Sequence, residues 1–341
     1  MNKNSKHEGR PSKNNQRQLL SFMDAEIERL TAQNRLSTAY NYLSSRRSFA
    51  RFLHSRNLHD IAFRQLDAQL MSDYQQWVLF DGMERKKNTS SFYLRNLKAV
   101  YNKALSYGIL TRSSTVLNPF EAVYTGVAET RKRAVPPELL YTLSRLDVER
   151  GLQTLVEAPS RKSFQRILRE VSFARDIFIF CFCAQGLPFI DFAHLRRENI
   201  AGGYITYERH KTGRHVQMAI YPMMQTIIDR YATSDSPYVF PILTAIGAKE
   251  SYRQYHSALR RYNRRLKLLS QLLGDGVNLT TYVARHSWAT AAYRGNIPIA
   301  YISEAMGHAN EHTTRKYLKS LERSKIDQAN KQLMDAIFET D

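Results

Sequence analysis

The chain has 341 residues, 43% of them apolar, and carries 50 lysines and arginines against 31 aspartates and glutamates, a formal charge of +19. That length favours two domains over one core, and the excess of cations favours a polyanionic partner, nucleic acid first among them. The longest apolar run, Ile177 to Ala184, falls far short of the roughly 20 residues a membrane span needs, so no membrane partner is expected.

Residues 1–17 are polar and basic, with Lys3, Lys6, Arg10, Lys13 and Arg17, and read as a flexible arm. The start also lacks the apolar stretch of a signal peptide, which implies a cytoplasmic protein. Helical spacing then takes over. Leu19, Leu20, Met23, Ile27 and Leu30 share one face, and Ala39 to His54 forms a second, aromatic and basic helix carrying Arg46, Arg47 and Arg51. Two more helices fit 67–80 and 89–107, the latter bearing Lys98 and followed by Gly108 as a stop. Residues 18–120 thus make a small all-α domain, and its basic positions Arg46, Arg47, Arg51 and Lys98 are candidate DNA contacts.

Residues 121–136, with Thr130-Arg131-Lys132-Arg133 and a proline pair at 136–137, read as a linker. A second domain over 137–320 opens with helices near 137–150 and 161–186. The two cysteines, Cys181 and Cys183, lack a zinc-ligand spacing and read as core residues in a reducing compartment. Tyr204 to Tyr207 and His215 to Ile220 alternate around Lys211-Thr212-Gly213-Arg214, the pattern of a β-hairpin. Helices resume after Pro222, apart from the strip Tyr238 to Pro241. A last amphipathic helix within 321–341 places Ile326, Ala329, Leu333 and Ile337 on one stripe, suited either to its own domain or to a neighbouring protomer. The fold class expected is mainly α with one small β-hairpin or sheet.

Near the C-terminal end, Thr280 to Thr290 includes Tyr282, Arg285 and His286, and it is followed by Met306-Gly307-His308 and then Thr313-Thr314-Arg315-Lys316-Tyr317. A phenol can attack phosphorus once cations and a base lower the barrier. A guanidinium binds two non-bridging phosphate oxygens in one plane, and an imidazole can hold or move the phenolic proton. Each residue also has a plainer use: a packing tyrosine, a salt-bridging arginine, a capping histidine, a solvated hairpin lysine.

Through Tyr204 to Gly213, Thr280 to Thr290 and Gly307 to Tyr317, the chain resembles the tyrosine recombinase, or phage integrase, family over about residues 19–335. It looks most like the branch carried by mobile elements of Bacteroidetes. The resemblance implies an N-terminal core-binding, SAM-like helical domain and a C-terminal catalytic domain. It further implies a site-specific recombinase that cuts and rejoins double-stranded DNA through a 3′-phosphotyrosine link, acting as a homotetramer on DNA and needing no cofactor or metal. Tyr317 would be the nucleophile, Arg285 and His308 would stabilise the phosphate, and Lys211 would protonate the leaving oxygen.

Two positions depart from the family. Tyr282 stands where many relatives have histidine; a phenol can donate a hydrogen bond to phosphate but is no base at pH 7. Relatives place an arginine either just before Gly186 or at 188, where this chain has Gln185 and Pro188. Helical spacing would bring 185 and 188 to one spot. Either a neutral Gln185 donor then suffices in place of the absent arginine, or Arg175, Arg196 or Arg197 supplies the charge. Otherwise the chain binds DNA and cleaves it poorly. A DNA-binding protein of weakened catalysis and a DNA-relaxing topoisomerase of the same chemistry are the alternatives.

Overall fold

The computed structural model describes residues 17–83, 85–110, 118–128, 134–155, 157, 160–232, 235–244, 247–315, 318 and 334. The arm up to residue 16, residues 129–133 of the linker and nearly all of the tail helix lie outside these residues. So does Tyr317. The chain divides into two compact units, Met1–Thr130 and Arg131–Asp341.

In the first unit, four helices appear close to where periodicity puts them: α1 (Leu19–Ala32), α2 (Leu36–His54), α3 (Ala68–Gln76) and α4 (Lys87–Ser106). The start of α1 is satisfied from a distance, because Asp60 accepts from the backbone N–H groups of Leu20 and Ser21 at 2.8 and 3.0 Å. Asp67 caps α3 locally through the Leu70 N–H. Gly108 ends α4 as expected, with the N–H of Ile109 returning to the Ala104 carbonyl and that of Gly108 to Leu105. Leu19, Met23, Phe49, Phe52, Tyr74, Leu94 and Leu97 form the core, in which the Tyr74 hydroxyl donates to Ser48 Oγ at 2.6 Å.

The second unit begins with a correction. The single helix expected over 137–150 is two, α5 (Pro137–Ser144) and α6 (Val148–Leu155), because the Asp147 carboxylate takes the Arg150 N–H and starts a new helix. The long buried helix α7 (Arg161–Cys183) follows, capped by Ser160, and its apolar run lies in the core. It stops earlier than 186: Gln185 and Gly186 both adopt left-handed backbone, φ +55° and +73°. Pro188 then precedes the short helix α8 (Phe189–His194). Positions 185 and 188 are therefore not one helical turn apart, and the spacing argument that joined them fails.

The predicted hairpin is present as part of a three-stranded antiparallel sheet in the order β1 (Ile200–Ala201), β2 (Tyr204–Glu208), β3 (His215–Ala219). Ile205 pairs with Met218 and Tyr207 with Val216, and all four side chains are buried. Helices α9 (Pro222–Tyr231), α10 (Ala248–Leu272), α11 (Val283–Arg294) and α12 (Ile299–Ala305) complete the described part. Helix α11 packs on α7, and α12 packs on β3. The strip Tyr238–Pro241 supplies Phe240, whose ring stacks on Phe192 at 4.0 Å and meets the edge of Phe180 at 5.1 Å. Phe240→Ala empties the middle of that stack, and the expected loss is about 3–5 kcal/mol, measured as a lower urea midpoint of unfolding.

Candidate active site

Three segments that are far apart in sequence meet at one guanidinium. Arg285 lies on the first turns of α11 and is 2% exposed. Its Nη1 donates to the Gly186 carbonyl at 2.7 Å, and its Nη2 donates to the Met306 carbonyl at 2.6 Å. Gly186 is required for this approach: its backbone is left-handed, and a Cβ there would stand 2.9 Å from Arg285 Cα.

The same Nη2 lies 2.9 Å from His308 Nε2. A guanidinium only donates, so Nε2 accepts and the ring proton sits on Nδ1, which donates to Thr314 Oγ1 at 2.8 Å. His308 is buried, and burial together with the charges of Arg285, Arg209 and Lys211 pushes its pKa down to about 3. The imidazole is thus a neutral acceptor held beside a fixed cation.

The hairpin is stitched to the same turn. Thr212 Oγ1 donates to the Gly307 carbonyl at 3.1 Å, and Arg214 Nη2 donates to the Ala309 carbonyl at 2.9 Å. Lys211 sits between these anchors in the β2–β3 turn, exposed to solvent. Residues 311–315 are helical, Thr314 is fully buried, and Leu318 packs with Ala289, Ala292, Ile302 and Met306. Tyr317 lies between them in sequence, outside the described residues.

Arg285, His308 and the Lys211 turn are brought together, and Gln185 adjoins them through Gly186, whose carbonyl Arg285 holds. Tyr282 is the residue just before α11, 57% exposed, with its ring 6.4 Å from that of His286 on the outer side. Gln185 has a buried Oε1 without a hydrogen-bond partner. None of the three arginines considered as substitutes is available. Arg175 is bound to Asp176 and to the Leu146 carbonyl, Arg196 leans over Tyr238 beside Glu198, and Arg197 donates to the Ser236 carbonyl.

Two residues of the cluster escape the sequence reading. Asp191 on α8 is buried; one carboxylate oxygen accepts the His210 N–H at 3.0 Å, and the other lies 3.6 Å from Arg209 Nε. Burial raises its pKa, against the pull of the His210 N–H and the nearby cations. Arg209, 7% exposed, donates from Nη1 to the carbonyls of Met306 and Gly307 at 2.6 and 3.1 Å. Its signal was in the alternation, since Ile205 and Tyr207 are the buried residues of β2 and Arg209, one residue past its end, continues the same every-second-residue burial.

In the first unit, Arg47 and Arg51 are exposed on α2, Arg46 pairs with Asp24 at 2.7 Å, and Lys98 is half-buried on α4. They give that unit cations at its surface, one of them already neutralised.

The depressed basicity of His308 has a consequence for folding. An unfolded imidazole takes up a proton near pH 6.5, whereas the folded one resists until about 3, so stability is full above 6.5 and falls with pH across that window. A His308→Asn variant should show a flatter decline in urea-unfolding free energy between pH 6.5 and 4 than the unsubstituted chain.

The sequence pattern of the phage integrase SAM-like domain matches residues 18–117, and that of the phage integrase family matches residues 186–323. Tyrosine recombinase XerA of Pyrococcus furiosus is 26% identical over 235 residues, 67% of this chain and 74% of that protein. A lambda integrase dimer bound to a COC′ core site is similar in structure with a TM-score of 0.58 at 16% identity, over 88% of this chain and 77% of that one. XerH site-specific recombinase bound to palindromic difH substrate, in a post-cleavage complex, gives 0.52 at 14% identity over 89% and 81%. At such identities the structural likeness is one of fold.

Proposed function

We propose that this chain, which matches the phage integrase SAM-like pattern over residues 18–117 and the phage integrase family pattern over 186–323, is a site-specific recombinase of double-stranded DNA, working through a 3′-phosphotyrosine intermediate. The observation that carries the reading is the buried Arg285–His308 pair, fastened to the hairpin turn that bears Lys211 and followed nine residues later by Tyr317.

The Tyr317 Oη attacks the scissile phosphorus as the bond from phosphorus to the 5′ oxygen breaks. The phenolic proton leaves to solvent as the P–O bond forms, while His308 stays the neutral acceptor that holds Arg285 in place. Lys211 delivers a proton to the departing 5′ oxygen, so the charges balance. Arg285 offsets the negative charge gathering on the non-bridging oxygens. A 5′ hydroxyl from a partner strand then reverses the step. The phosphoester bond is exchanged and not hydrolysed, so the scheme calls for neither a nucleotide nor a metal.

Arg46, Arg47, Arg51 and Lys98 are proposed to hold the DNA backbone, along with His286 on the outer side of α11. Tyr282, exposed beside His286, is proposed to donate a hydrogen bond to the phosphate, and Gln185 marks the position of the absent arginine. The motifs at 204–213, 280–290 and 307–317 favour the branch found on Bacteroidetes mobile elements, and hence a protein of the bacterial cytoplasm. Exchange between two duplexes uses four active sites, so the working form proposed is a homotetramer on DNA.

Incubation with nicked suicide DNA, which loses its 5′ fragment after cleavage, should trap a covalent protein–DNA adduct. Tyr317→Phe should abolish it, while binding measured at equilibrium stays within about twofold. An adduct that persists in Tyr317→Phe refutes the assignment. DNA relaxation without strand exchange would instead make the enzyme a topoisomerase. Binding should also weaken steeply with salt, as each neutralised phosphate releases about 0.9 counterion.

A further inference from the structure

The proposed chemistry leaves one position unfilled, because neither 185 nor 188 carries a cation. We infer that Arg209 is the second cation of this site, a positioning residue that holds the Gly307–His308 turn and lends its charge to the phosphate bound above it. This inference rests on the recombinase reading of the same site.

Four observations lead to Arg209. First, Arg209 is the residue just past the end of β2, and it is buried like Ile205 and Tyr207 and like Arg285 and His308, while Lys211 remains exposed on the turn. Second, the two guanidinium groups converge: Arg209 Nη1 and Arg285 Nη2 both donate to the Met306 carbonyl at 2.6 Å. Arg209 Nη1 also holds the Gly307 carbonyl, one residue before the imidazole that faces Arg285.

Third, the turn is built to admit this side chain. Gly307 is left-handed at φ +61°, and a Cβ on it would lie 2.8 Å from Arg209 Cδ. Any larger residue would displace the guanidinium, and with it the carbonyls it fixes.

Fourth, among the described residues the positive charge of the two arginines is only partly offset. The nearest acid is Asp191, whose Oδ2 is 3.6 Å from Arg209 Nε, and neither atom has a hydrogen-bond partner. Two buried arginines thus face one buried carboxylate, and that carboxylate spends its other oxygen on the His210 N–H. A residual positive charge in a water-poor setting is what a pentavalent phosphate requires, and loss of one such contributor commonly costs 10²–10³ in rate.

The test compares adduct formation on two nicked suicide substrates, one with an ordinary scissile phosphodiester and one with a methylphosphonate, in which a methyl group replaces a charged non-bridging oxygen. On the phosphodiester, Arg209→Gln should slow adduct formation by about 10²–10³-fold. On the neutral methylphosphonate the gap between the variant and the unsubstituted chain should shrink to within about tenfold, since there is less charge to offset. An equal loss on both substrates would mean that Arg209 only supports the turn, and the inference would be wrong.

Arg209→Lys guards against a folding artefact, because it keeps the charge while losing the planar fork. It should retain more activity on the phosphodiester than Arg209→Gln, provided both melt as single transitions. If the lysine variant is as slow as the glutamine one, charge is not the contribution. Adding Gln185→Arg to Arg209→Gln should recover at least about tenfold; no recovery would also count against interchangeable cations. Failure of the unsubstituted chain to form any adduct through Tyr317 would overturn the recombinase reading itself, an outcome distinct from all of these.

Discussion

Burying a guanidinium is expensive unless its donors are matched, and the second unit is arranged around meeting that demand at Arg285. The carbonyl of Gly186, just beyond the end of α7, takes one nitrogen, and the carbonyl of Met306, at the end of α12, takes the other. The His308 ring completes the arrangement. Because each acceptor belongs to a different segment, the arginine can be satisfied only when α7, α11 and α12 are all in place. The candidate site and the closure of the fold share one set of hydrogen bonds.

The β2–β3 hairpin belongs to the same construction. It lies against the 306–309 turn through Arg209, Thr212 and Arg214, each of which donates to a backbone carbonyl of that turn. A hairpin turn is usually the mobile end of a sheet, yet here its base is pinned on both sides of Lys211. The lysine keeps a free, solvent-facing side chain on a fixed backbone, which suits a group that must reach a phosphate and withdraw.

Absence of the expected arginine at 185 or 188 is intelligible in these terms. The backbone at Gln185 turns left-handed, so a side chain there does not continue the face of α7. On the reading proposed above, Arg209, just past the end of β2, meets the need for positive charge instead. Arg175, Arg196 and Arg197 looked equally eligible by spacing, but each is held by partners of its own.

Much of this protein was legible without coordinates. Helical periodicity located α1 to α4 and α7, alternation around Thr212-Gly213 located the hairpin, and the motifs carrying Arg285, His308 and Tyr317 pointed to phosphate chemistry, because such local patterns follow from side-chain period and residue type alone. The left-handed stop at Gln185, the exposed position of Tyr282 and the meeting of Arg209 and Asp191 were decided only by the tertiary structure. Those features depend on which carbonyls and carboxylates arrive beside a side chain from segments up to 99 residues away, and no local pattern records that.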